Sequence, residues 1–185
     1  MATVGDIYLE QIVGMSDTLL MRVGDMSDEQ LAQRPGEYLN PVGFIYWHIL
    51  RIWDFDLNLL IRGQDPSNDA WHRGGMTELS GYNPDGHGVG GRGIGFGYTD
   101  AEVDEMPYHH TALRAYHDLL LLETKDFLAN AEESEFAREV LFRDTPTTVG
   151  ARMQHAVAHS FQHIGEIMLS RGLLGFADPT TPPRG

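Results

Sequence analysis

Residues His155–Glu166 read HAVAHSFQHIGE, with histidines at 155, 159 and 163. A four-residue repeat sets side chains one turn apart on the same face of an α-helix, about 6 Å between Cβ atoms. The stretch is therefore read as helix, and His159, His163 and Glu166 fall within one narrow arc of it at 3.6 residues per turn. Two imidazoles so placed can share an ion, and a third ligand must come from another helix. The same residues also have a plainer reading. Arg152, His155, His159, Gln162, His163, Glu166 and Ser170 form a polar stripe opposite Val149, Met153, Val157, Ile164, Ile167 and Met168, as on any amphipathic helix with a wet face. HxxxH without the HE pair of a zincin does not separate the two readings. The remaining helices must do so.

The chain has 185 residues, 42% hydrophobic and 22% charged, the proportions of one soluble globular domain spanning 1–185. Its formal net charge is −14 with only 13 basic residues, which excludes a phosphate-backbone partner and disfavours an anionic membrane surface. There is no cysteine, so disulfides, thiolate ligands and a protein thiol nucleophile are excluded together. The start, MATVGDIYLE, lacks the apolar core of a signal peptide, and no apolar run reaches 18 residues; the expected location is the cytoplasm.

Four long helical patterns surround the motif. The first runs over about 4–23, with Tyr8, Ile12, Met15 and Leu19 at helical period, and stops at Gly24. Ser27 and Gln30 have capping-box spacing for a short turn before Pro35. Asn40 as N-cap and Pro41 in the first turn open the second long helix, which continues to Gly63. Phe44, Ile45, Tyr46, Trp47, Ile49, Leu50, Ile52 and Trp53 leave its first half almost no wet face, so it is expected to be buried, with His48 inside it. Eleven of the 21 glycines fall between Gly63 and Gly97. That composition predicts a long glycine-rich loop over 64–99, anchored by Trp71, His72, Tyr82, Phe96 and Tyr98 and folded over one end of the helices. GVGGRGIGFG lacks the strand, lysine and acidic residue of a nucleotide-binding loop. Thr99 and Glu102 form a further capping box, and the third long helix runs from Pro107 to about Ala131, with His109, His110 and His117 read as surface residues. AEESEFAREV reads as a solvated connection, Pro146 and Thr147 lead into the fourth helix, and DPTTPPRG over 178–185 reads as an extended tail. Four long helices and no convincing strand give an all-α four-helix bundle, in which His48 and the HxxxH pair can converge.

The segments NPVGFIYWHILRIWD and AHSFQHIGEI, more than 100 residues apart, resemble the DinB family of bacterial proteins. That superfamily includes the metal-binding domain of mycothiol-dependent maleylpyruvate isomerase. The resemblance spans nearly the whole chain. It implies an up-and-down four-helix bundle of unusual connectivity, frequently a homodimer, with one divalent metal on three histidines. Matched residue by residue, these are His48, His159 and His163; His155 has no counterpart in the triad. The additional C-terminal domain of the characterised isomerase is not expected within these 185 residues.

Three neutral imidazoles suit zinc or nickel, with iron also accommodated, and leave at least one coordination position open. Relatives of this kind use such an ion with low-molecular-weight thiols such as mycothiol or bacillithiol. The expected function is a metal-dependent thiol S-transferase or isomerase acting on a small electrophile. Metal-assisted hydrolysis with Glu166 as candidate base, and a non-catalytic metal-binding, stress-associated dimer, are the alternatives. The first two expect an open cavity beside the ion, the last a closed coordination sphere.

Overall fold

The structure is a computed structural model that describes residues 2–177, 179 and 180. It is mostly helical. Four long helices dominate: α1 (Val4–Val23), α3 (Val42–Asp54), α7 (His110–Asn130) and α8 (Val149–Leu173), with a shorter helix α2 (Asp28–Ala32) between the first two. Each long helix packs against two of the others. α1 and α3 both lie against α7 and α8, so α1 sits across from α3 and α7 across from α8, while α3 and α7 are neighbours.

The boundaries follow local chemistry. Thr3 and Asp6 cap α1 reciprocally, and Ser27 with Gln30 does the same for α2. The opening of α3 differs from the sequence expectation. Pro41, with φ −60° and ψ 151°, is itself the extended capping residue, and Asn40 stands outside the helix. The start of α7 has no cap of its own; Asp28 of α2 accepts from the backbone N–H of His110 at 2.8 Å. Every residue of α3 except His48 is buried, as its composition predicts. Trp47, Trp53, Tyr46 and Leu50 form the centre of the core.

Past Asp54 the helix continues as π-helix over Phe55–Ile61. The wider turn inserts a residue into the helical phase, and such segments recur at functional sites. Here it buries Asp56 and places Phe55 beside the site described below.

Residues 64–99 are more ordered than their glycine content suggests. A 3₁₀ turn (Pro66–Asn68) and two short helices, α4 (Ala70–Arg73) and α5 (Met76–Ser80), occupy the first half. Buried Asp54 accepts hydrogen bonds from the backbone amides of Ala70 and Trp71, both at 3.1 Å, and from Tyr116 Oη at 2.6 Å. Arg51 meets Asp69 at 2.9 Å and donates to the Gly93 carbonyl at 2.9 Å. Of the expected anchors, Trp71 and Tyr82 are buried, while Phe96 is exposed. A short helix α6 (Asp100–Asp104), opened by the predicted Thr99–Glu102 box, leads back to α7.

Three further expectations fail. The connection read as solvated, AEESEFAREV over 131–140, carries a short 3₁₀ turn (Glu133–Ala137) and runs into a hairpin, β1 (Glu139–Phe142) and β2 (Thr145–Thr148), paired antiparallel with Phe142 opposite Thr145. Pro146 and Thr147 therefore belong to a strand. Its two-residue turn, Arg143–Asp144, holds both residues at positive φ without a glycine or asparagine, the usual signal for such a turn. His117 is not a surface residue. It is fully buried, 2.7 Å from Ser16 Oγ and 3.0 Å from Tyr46 Oη, and burial lowers its pKa to about 4. Met168, assigned to the apolar side of α8, is exposed. Of the expected tail, only 179 and 180 lie within the described residues.

Candidate metal centre

His48 comes from α3, and His159 and His163 from successive turns of α8, which packs directly on α3. One ring nitrogen from each lies within 4.8 Å of those of the other two. Nε2 of His159 and Nε2 of His163 are 3.1 Å apart. Ligands about 2.0–2.1 Å from one ion, at angles between about 90° and tetrahedral, stand roughly 2.9–3.4 Å from one another. The observed spacing fits that range.

The surroundings fit a ligand set as well. Metal-binding histidines characteristically donate their second ring N–H to a carbonyl or carboxylate, which sets the tautomer and the ring plane. Nδ1 of His48 lies 2.5 Å from the Ile94 carbonyl, and Nδ1 of His163 lies 2.7 Å from Glu166 Oε2. Both leave Nε2 free to coordinate. Nδ1 of His159 is buried with no hydrogen-bond partner, an orphan within the cluster. Desolvation lowers the pKa of His48 to about 4; burial, then the neighbouring His48 and His163, lower that of His159 to about 2. Both rings are thus neutral at ordinary pH, the form that binds metal.

The close approach of the loop to His48 depends on a glycine. Gly95 has φ +83°, and a Cβ there would stand 2.5 Å from Nδ1 of His48. Only the absence of a side chain lets the backbone carry the Ile94 carbonyl onto the imidazole.

Glu166 bonds the far nitrogen of His163, so its position is that of a carboxylate orienting a ligand. His155, outside the triad, has its ring 5.6 Å from that of His159 and lines the same cavity. Its Nδ1 lies 2.7 Å from Asp56 Oδ2, and Asp56 also receives the Arg152 guanidinium, with Nε at 2.9 Å. This pair was not legible in the sequence, because Asp56 lies nearly a hundred residues away and the π-helix sets its direction.

The three histidines face a cavity of about 370 Å³. Its other walls are Ile52 and Phe55 from α3 and the π-helix, Arg92, Ile94 and Phe96 from the loop, and Phe142 and Arg143 from the hairpin. Arg92 and Ile94 within the loop, and the hairpin walls Phe142 and Arg143, were missed from sequence. The one signal for the loop pair was an arginine and two large apolar residues embedded in RGIGFG.

Such a site, on long helices in this arrangement, could hold a metal ion. The DinB superfamily model matches residues 11–167, and the chain belongs to that superfamily. A solved structure of a conserved protein from Enterococcus faecalis shares the fold, with a TM-score of 0.78 and 18% identity over 95% of this chain and 99% of that one. No curated protein matches the chain significantly.

Proposed function

We propose that the protein holds a divalent transition metal, zinc or nickel before iron, on His48, His159 and His163, and acts as a thiol S-transferase or isomerase on a small electrophile. The observation that carries this reading is the opening of the triad onto a largely apolar cavity. A purely structural ion calls for a closed sphere of four protein ligands, so the cavity disfavours the non-catalytic alternative. A divalent ion held there supplies Lewis-acid chemistry that keeps an incoming thiol as thiolate. The chain's own residues do the rest. Ile94 and Glu166 hold two imidazoles in register, while Phe55, Phe96 and Phe142 give a substrate body apolar contact. With no cysteine in the chain, the thiol is a cosubstrate.

Hydrolysis is kept as a second reading on one specific ground. Asp56 positions His155 so that its other ring nitrogen is free to accept a proton, a role Glu166, turned behind His163, is poorly placed to fill. His155→Gln should then abolish hydrolysis while leaving metal content intact; hydrolysis at the wild-type rate in that variant would rule it out.

The finer architecture is read as a four-helix bundle in which the first and second long helices, and the third and fourth, lie diagonally. A homodimer is proposed on the exposed side of α8, where Phe161, Gly165, Met168, Leu169 and Gly172 recur at three- and four-residue spacing.

The test is elemental analysis of purified wild type beside single alanine variants at 48, 155, 159 and 163, followed by thiol-consumption assays over a panel of electrophiles. Near-stoichiometric metal is expected in wild type and His155→Ala and a loss in the other three. Retention in all four variants would remove the site; stoichiometric metal with no thiol consumed would remove the transferase reading.

A further inference from the structure

The cavity before the triad has an unusual electrostatic lining. In a chain with 27 acidic residues, none of its wall residues is an aspartate or glutamate, and three are arginines: Arg92, Arg143 and Arg152. Arg152 is neutralised by buried Asp56. Arg92 and Arg143 have no carboxylate or hydrogen-bond partner among the described residues, whereas Arg34, Arg51, Arg62, Arg73, Arg114, Arg138 and Arg171 are all ion-paired.

The backbone supplies an independent observation. Arg143 has φ +51°, a left-handed conformation that a long side chain adopts at a cost of about 1–2 kcal/mol and that glycine or asparagine would accept more readily. Its guanidinium lies 5.1 Å from the centroid of Phe142 and 5.9 Å from that of Phe96, two cavity walls. The hairpin turn thus holds a cation against the apolar lining. Arg92 and Arg143 also line an adjoining cavity of about 390 Å³, so they stand on the partition between the two spaces. There the carboxylate of Asp69 is already engaged by Arg51 and His72, and Asp85 faces His72 at 3.3 Å.

We infer that Arg92 and Arg143 recognise an anionic oxygen group on the substrate, and that the substrate is a small molecule with an apolar or aromatic body ending in a carboxylate or a similar anion. This rests on the metal-site reading only for which cavity the substrate enters. Guanidinium groups match such oxygens in a bidentate fork. A local positive rim on a strongly acidic protein would draw an anion to this mouth and away from the rest of the surface. The aromatic residues beneath the arginines accommodate the body.

The experiment is calorimetric titration of the zinc-loaded full chain with benzoate, its neutral isostere benzamide, and acetate, on wild type, R92Q, R143Q and R92Q/R143Q, repeated after zinc is removed by chelation. Benzoate is expected to bind wild type about tenfold or more tightly than benzamide, the scale of one charge-assisted hydrogen bond. It should also exceed acetate, which lacks the body. In R92Q/R143Q the benzoate preference should collapse with zinc content and melting temperature unchanged; if the double variant is unstable, the single variants carry the comparison. A preference surviving in the double variant would assign the anion to the metal and overturn the inference, as would equal affinities for benzoate and benzamide in wild type. Absence of zinc binding would sink the proposed function instead, while a benzoate preference that the arginine substitutions remove from metal-free protein would still uphold the inference.

Discussion

Gly95 and His117 show how single residues set the properties of this protein. Any side chain at 95 meets His48 and must also adopt φ +83°. Gly95→Ala is therefore expected to displace the Ile94 carbonyl from His48 and weaken metal affinity about ten- to a hundredfold, the usual cost of losing a partner of a ligand. Competition against a chromogenic chelator measures it, and wild-type affinity would refute the proposed dependence. His117 governs a pH response. Its folded pKa of about 4 lies below the ordinary 6.5, so between those values the unfolded chain binds a proton that the folded one refuses. The stability this group contributes is complete above pH 6.5 and is lost as pH falls toward 4, at about 1.4 kcal/mol per pH unit. In chelator-containing buffer, urea unfolding at pH 5 and pH 7 should show a smaller difference for His117→Gln than for wild type. An identical difference would mean that His117 is not the buried neutral base described here.

At the scale of elements, the segment 64–99 behaves as part of the fold because α3 holds it. Asp54 binds two of its backbone amides, and Arg51 reaches both Asp69 and Gly93. Removing Asp54 leaves Arg51 buried with one fewer counter-charge and two amides unsatisfied. Asp54→Ala is expected to cost about 3–5 kcal/mol and to open residues 64–99 to limited proteolysis, with metal retention falling as the Ile94 contact loosens. A chemical-denaturation midpoint near wild type and an unaltered digestion pattern would contradict the clamp. Much at this level was legible beforehand. The capping boxes at Ser27–Gln30 and Thr99–Glu102, the span of α1 and the burial of α3 all follow from local spacing and apolar density. The hairpin was not, because its turn carries Arg143–Asp144 in place of the glycine or asparagine that announces a two-residue connection. Nor was the π-helix, which has no composition of its own and becomes visible only as a shift in which side chains face inward.

For the molecule as a whole, the open question with a direct readout is association. The exposed α8 side contains Leu169 at 63% and Phe161 at 47% exposure, apolar surface that a second copy would cover. Light scattering on the wild type should report a dimer, and Leu169→Glu a monomer with little change in unfolding midpoint, since the side chain makes few contacts within its own chain. A wild-type monomer at micromolar concentration would remove the proposal. No helix among the described residues is long and apolar enough to cross a membrane.

From sequence by itself, periodicity and capping chemistry determined where the long helices lie, and the four-residue spacing put His159 and His163 on one face, because these depend on neighbours along the chain. That His48 could converge on them followed from the expected bundle, and the family resemblance assigned it as the third ligand; its geometry came with the packing of α3 on α8. What surrounds the triad was decided by tertiary structure alone. Asp56 reaches His155 across 99 positions, Arg143 arrives from a hairpin with no local signature, and Gly95 is needed because of a side chain 47 residues away. Local rules cannot report such contacts, since each partner's own neighbourhood is equally consistent with an ordinary surface.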